Sequence, residues 1–219
     1  MATEADTRRD IVEACLEMNA SGINQGTSGN VSIRYEDRML ISPSATPYAK
    51  MTPEMIASID LAGDMTGTWD GPRKPSTEWR FHWLLMKHRS DVTAVVHAHP
   101  THCTALAILR KPIPACHYMI AAFGGTDVRC AGYATFGSPE LADLAVTALE
   151  DRTACLLANH GMVAVGQGIE QAMWRAIELE TIARQYCLSL QLGEPVILST
   201  EDIDRTLDMF AGYGVQAES

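Results

Sequence analysis

Residues 93–100 read Thr-Ala-Val-Val-His-Ala-His-Pro, the stretch around which the rest of the chain is best organised. The run Thr93 to Val96 has the character of a short buried strand, and two histidines one residue apart follow at once. In extended backbone, residues i and i+2 project to the same side, so His97 and His99 point together. Pro100 ends the strand and can open a helix from Thr101. Two imidazoles on one side of a strand end are two-thirds of a three-histidine metal site, for which zinc is the commonest ion. The plainer alternative is a hydrogen-bonded pair near a strand end.

The other histidines lie at positions 82, 88, 102, 117 and 160. His82 and His88 fall within a helical pattern and are expected to be surface or packing residues, and His102 to be structural. His160 differs. The buried strand expected at Ala154 to Ala158 meets Asn159-His160-Gly161, a turn from which a side chain can enter a cleft. With His97 and His99 it could complete a three-histidine zinc site whose fourth position stays open for chemistry. Spacing alone does not bring the two segments together.

Three short, hydroxyl-rich stretches could present N–H and O–H groups to a phosphate. They are Gly26-Thr27-Ser28-Gly29-Asn30, Ser42-Pro43-Ser44-Ala45-Thr46, and Ser76-Thr77 at an expected helix start. Each alone is more often just a turn or a cap. Glu78 follows the third, where a glutamate in the first turn of a helix is favoured by the dipole.

A formal charge of -10 argues against nucleic acid or an anionic membrane surface as partner. It leaves open an anionic small substrate held by local N–H and O–H groups. Six cysteines are scattered without C-x-x-C pairing, mostly among apolar neighbours, and suggest reduced thiols in a cytoplasmic protein. No signal-peptide core follows Met1, and no apolar run is long enough for a bilayer. A chain of 219 residues is expected to form one domain over residues 1–219.

Along the chain, periodicity predicts helices at Thr7 to Ala20, from Ser76-Thr77-Glu78 to Arg89, after Pro100 to Leu109, from Ser138 to Leu149, at Ile169 to Leu190, and from Thr200 to Phe210. Strands are expected at Val31 to Tyr35, Met39 to Ile41, Ile56 to Leu61, Thr93 to Val96, Val128 to Tyr133, Ala154 to Ala158 and Met162 to Val165.

Several stretches together resemble the class II aldolase/adducin family. They are Asn24 to Ser32, Pro75 to His82, Val95 to His99, Ile113 to Ile120, Tyr133 to Gly137, and Asn159-His160-Gly161. The similarity is collinear from near residue 8 to near residue 214. It implies an α/β fold, a single three-layer domain whose mainly antiparallel central sheet is flanked by helices. It further implies a C4 homotetramer with the active site at the subunit interface.

By matching position, the resemblance makes His97, His99 and His160 zinc ligands and Glu78 both a carboxylate near the metal and the acid/base. Gly29, Asn30, Ser44, Ala45, Ser76 and Thr77 would cradle a substrate phosphate, in loops that also offer Thr27. Tyr118 and Tyr213 resemble tyrosines that act across the subunit boundary. Two departures stand out: Ser44-Ala45 replaces a usual Thr-Gly, and Thr77 a usual Ser. Alanine lacks glycine's freedom at positive φ, so the second loop is where a difference is expected.

The implied reaction is reversible cleavage of a ketose 1-phosphate to dihydroxyacetone phosphate and an aldehyde. Zinc would act as Lewis acid, and manganese or cobalt could substitute. L-Fuculose, 5-deoxyribulose and 5-methylthioribulose 1-phosphates all fit, and Phe136 is expected to line the pocket that chooses among them. Two alternatives are a pentulose-phosphate 4-epimerase, against which Glu78 counts because Asp is usual there, and an adducin-like assembly module, which lacks intact ligands.

Overall fold

The computed structural model describes residues 2–211. Among the described residues, nine strands and six α-helices follow one another along the chain. The strands are β1 (Asn30–Tyr35), β2 (Arg38–Ile41), β3 (Ala57–Asp60), β4 (Ala94–Ala98), β5 (Ile113–Pro114), β6 (Asp127–Val128), β7 (Cys130–Ala131), β8 (Ala154–Leu157) and β9 (Gly161–Gly166). The helices are α1 (Glu4–Ala20), α2 (Trp79–His88), α3 (Thr101–Ile108), α4 (Pro139–Ala148), α5 (Ile169–Leu192) and α6 (Thr200–Ala211). No described helix is long and apolar enough to cross a membrane.

Seven strands form one sheet in the order β3-β2-β1-β4-β9-β8-β7. Every pairing is antiparallel except that of β7 with β8. The expected strand from Val128 to Tyr133 is not continuous. Asp127–Val128 pairs with β5, whereas Cys130–Ala131 pairs with β8. The chain changes partners at Arg129, whose guanidinium reaches the carbonyls of Ala148 and Glu150.

The period of two along the strands sorts side chains into two cores. Val31, Ile33, Val96 and Met162 pack with α1, α3 and α5 on one face. Met39, Ile41, Val95 and Val163 pack with α2 and α4 on the other. Three layers result. His97, two residues from Val95, therefore projects to the α2 side, where Phe81 meets its ring edge-on at 5.4 Å. Phe81 is 1% exposed, and full burial of such a ring contributes about 2–3 kcal/mol.

Candidate active site at the β4–β9 strand ends

The gap between His97 and His160 is closed by strand pairing. β4 and β9 are antiparallel neighbours with Ala98 opposite Met162, so the end of β4 lies beside the turn that precedes β9. Asn159 holds that turn with φ 54°, a left-handed conformation that asparagine tolerates. His160 and Gly161 follow it, and β8 and β9 form the hairpin arms with Leu157 opposite Gly161. The approach is close: a Cβ on Gly161 would lie 2.5 Å from the Ala98 carbonyl oxygen and from His99 Cδ2.

The ligand atoms of His97, His99 and His160 all lie within 4.8 Å of one another. Among the described residues this is the one group of three or more such side chains placed to hold an ion. Glu78 reaches the same point from the residue before α2. Its Oε2 is 3.1 Å from His97 Nε2 and its Oε1 is 3.2 Å from His160 Nε2. Glu78 occupies the N-cap position but makes no capping bond with its side chain. Instead Ser76 Oγ accepts from the Glu78 N–H, which leaves the carboxylate free to enter the cleft.

Hydrogen bonding fixes how His97 presents itself. Its Nδ1 lies 2.8 Å from the Met162 carbonyl oxygen, so that nitrogen donates and Nε2 carries the lone pair in the neutral ring. His97 Nε2 then faces His99 Nε2 at 3.0 Å as well as the Glu78 carboxylate. Glu78 Oε1 is buried and accepts no hydrogen bond. More lone pairs than protons converge here, the donor chemistry a divalent cation satisfies.

The charges are coupled. Burial works to raise the Glu78 carboxyl, but charge on His97, with the His160 ring beside it, outweighs burial and holds the group far below the usual carboxylate range. Burial likewise works against protonation of His97, and Glu78 overrides it, so that ring is raised. Burial, reinforced by His97 and His160, lowers His99 to about 3. His99 is thus kept neutral, the form that binds metal.

Residues 9–187 match the family described as Class II Aldolase and Adducin N-terminal domain. The chain belongs to the class II aldolase/adducin family. It is 47% identical over 211 residues to an L-fuculose phosphate aldolase of Escherichia coli (strain K12), covering 96% of each chain. It is 46% identical over 211 residues to a 5-methylthioribulose-1-phosphate/5-deoxyribulose-1-phosphate aldolase of Rhodospirillum rubrum, covering 96% of this chain and 94% of that one. A solved L-fuculose 1-phosphate aldolase superposes with a TM-score of 0.90 at 38% identity, over 96% of this chain and 98% of that one. These relatives are named aldolases, which are lyases, and class II aldolases depend on a metal; the three histidines fit that requirement.

The cleft beside the histidines has a volume of about 460 Å³. Thr27, Ser28, Ser44, Ala45 and Thr77 line it together with Glu78, His99 and His160, so all three hydroxyl-rich stretches meet there. Gly29, Asn30 and Ser76 sit behind that lining, and Asn30 and Ser76 are buried. Gly29 is needed for a close approach, since a Cβ would lie 2.7 Å from the His97 carbonyl oxygen. Ala45 adopts φ 52°. The loop therefore keeps the left-handed turn that glycine would favour, at a strain cost of about 1–2 kcal/mol.

Phe136 and Tyr133 stand at the mouth of the cleft. Tyr118 does not reach the histidine cleft of its own chain. It lines a separate cavity of about 880 Å³ with Trp174 and Phe210, and its ring is half-exposed. Tyr213 lies outside the described residues.

At the site, the expectation for His82 fails. His82 is not a surface or ordinary packing residue: it is wholly buried and hydrogen-bonded to Asn30 and Ser32. No local signal marked it, because its partners lie on β1, about 50 residues away.

Proposed function

We propose that this chain catalyses reversible aldol cleavage of a ketose 1-phosphate to dihydroxyacetone phosphate and an aldehyde. The observation that carries this reading is the convergence of His97, His99, His160 and Glu78 at one edge of a cleft whose other walls are short hydroxyl-rich loops. The three histidines would hold zinc, which supplies Lewis-acid polarisation of the substrate oxygens. Their neutral donor set leaves the ion its full charge.

Thr27, Ser44, Thr77 and the backbone around Gly29, Asn30, Ala45 and Ser76 bind the phosphate, with no lysine or arginine among the residues lining the cleft. Fixing the phosphate fixes C1 and sets C3 beside Glu78, an orientation effect. In the condensation direction, ionised Glu78 takes a proton from C3 of dihydroxyacetone phosphate. The C3–C4 bond forms, and Tyr118 gives its phenolic proton to the aldehyde oxygen. Cleavage runs the same steps in reverse. Tyr118 serves this role from a neighbouring copy in a homotetramer, a reading supported by its exposure beside Trp174 and Met209, themselves exposed. Tyr213 is assigned to the same boundary on the resemblance alone.

The three candidate substrates share C1 to C3 and differ beyond C4, toward Phe136 and Tyr133. An apolar pocket separates such groups by about 1–3 kcal/mol per methylene, so overlapping activities are expected. The test is incubation with L-fuculose, 5-deoxyribulose and 5-methylthioribulose 1-phosphates, with coupled detection of dihydroxyacetone phosphate. Release that stops on chelation and returns with zinc supports the reading. No release from any of the three by the zinc-loaded protein would overturn it.

A further inference from the structure

We propose that His82 is a positioning residue for Glu78, acting through Asn30 and held in a single tautomer by Ser32; the proposal rests on Glu78 being the acid/base of the aldol reaction. Four side chains form an unbroken buried chain. Asn30 Nδ2 donates to Glu78 Oε2 at 3.1 Å. Asn30 Oδ1 meets His82 Nε2 at 2.5 Å. His82 Nδ1 meets Ser32 Oγ at 2.7 Å. None of the four is more than 5% exposed, so water does not compete for these bonds.

The donors and acceptors can be assigned without seeing a proton. An ionised carboxylate only accepts, so the Asn30 amide must turn its NH₂ toward Glu78. Its oxygen then faces His82, whose Nε2 must donate. A neutral ring that donates from Nε2 has its lone pair on Nδ1, and the Ser32 hydroxyl donates to it. Burial, helped by the nearby His97, pushes the imidazole down to about 3, so the ring is neutral at working pH. If Asn30 turned over, two oxygens would oppose each other at Glu78. The imidazole makes that flip unfavourable by being a donor and not an acceptor at Nε2.

The placement follows from register. Asn30 lies opposite His97 and Ser32 opposite Val95, so both face α2. Glu78 immediately precedes α2 and His82 lies in its first turn, and both bond to side chains of β1. The four residues thus tie the start of α2 to β1 at two points. Their effect is to aim one carboxylate oxygen while the other remains without a hydrogen bond.

The test compares His82→Gln, His82→Phe and Glu78→Gln in the zinc-loaded protein. Glutamine can replace the Nε2–H donor, whereas phenylalanine keeps a flat ring without one. His82→Phe is expected to lower kcat by about 10–100-fold, the usual effect of removing an outer hydrogen-bond partner. KM should change by less than about threefold, zinc content should stay that of the wild type, and His82→Gln should recover most of the loss. Equal damage in both variants, or zinc lost in step with kcat, would assign His82 to packing and overturn the proposal. An unaltered kcat in His82→Phe would do the same. If Glu78→Gln itself retains turnover, the aldolase role of Glu78 fails first. Should His82→Phe not fold, ¹⁵N-histidine NMR of the wild type decides: a neutral Nε2–H ring is expected, and an Nδ1–H ring or an imidazolium contradicts the assignment.

Discussion

The buried imidazole of His82 makes stability depend on pH in a way that can be calculated. An exposed histidine titrates near 6.5, and burial brings this one to about 3. Below about pH 6.5 the unfolded chain takes up a proton at this position that the folded protein refuses. The group's contribution is therefore complete above the unfolded value and declines as pH falls through the window from 6.5 toward 3. At about pH 5 the gap is about one and a half pH units, so folding loses about 2 kcal/mol relative to about pH 7.5. His82→Phe removes this titration. It also leaves the Asn30 carbonyl and the Ser32 hydroxyl without a partner, a penalty of about 1–3 kcal/mol for each group that does not vary with pH. Urea unfolding at several pH values separates the two effects, because one is an offset and the other a slope. The wild type should lose about 2 kcal/mol more than the variant between about pH 7.5 and about pH 5. Parallel curves would refute the argument, since the buried ring would then protonate as readily folded as unfolded.

Three further predictions follow from single positions. Ala45→Gly relieves a left-handed alanine at φ 52°; after allowance for glycine's greater freedom when unfolded, a stabilisation of about 0.5–1 kcal/mol should appear in urea unfolding. Gly161→Ala places a methyl 2.5 Å from His99 Cδ2 and the Ala98 carbonyl, and competition against a chelator should show zinc held about 10–100-fold more weakly. Glu78→Gln keeps the shape of the side chain but not its basicity; zinc content by elemental analysis should be unchanged while kcat falls by about 10²–10⁴-fold.

Much of this site was legible in the sequence wherever the signal was local. The alternation of β4 showed that His97 and His99 share a side, and the small residues around Asn159 marked a turn. Two kinds of information were not local. The meeting of His160 with the pair depends on β9 lying beside β4, a choice of strand order that no short stretch specifies. Glu78 read locally as a first-turn glutamate, and only the resemblance assigned it to the site. His82 was misread for the same reason. Its partners Asn30 and Ser32 lie about 50 residues away, and its polar role emerges only when β1 is in register with β4. The break at Arg129 was invisible because the residues flanking it are all acceptable in a strand, and the change of partner is decided by β5 and β8.

The central claim is that three imidazoles hold one divalent ion beside Glu78. X-ray absorption at the zinc edge of the loaded protein tests it most directly. Three nitrogen ligands from histidine at about 2.0–2.1 Å are predicted, falling to two in His160→Ala. A zinc shell without histidine nitrogen, or one unaltered by His160→Ala, would contradict it.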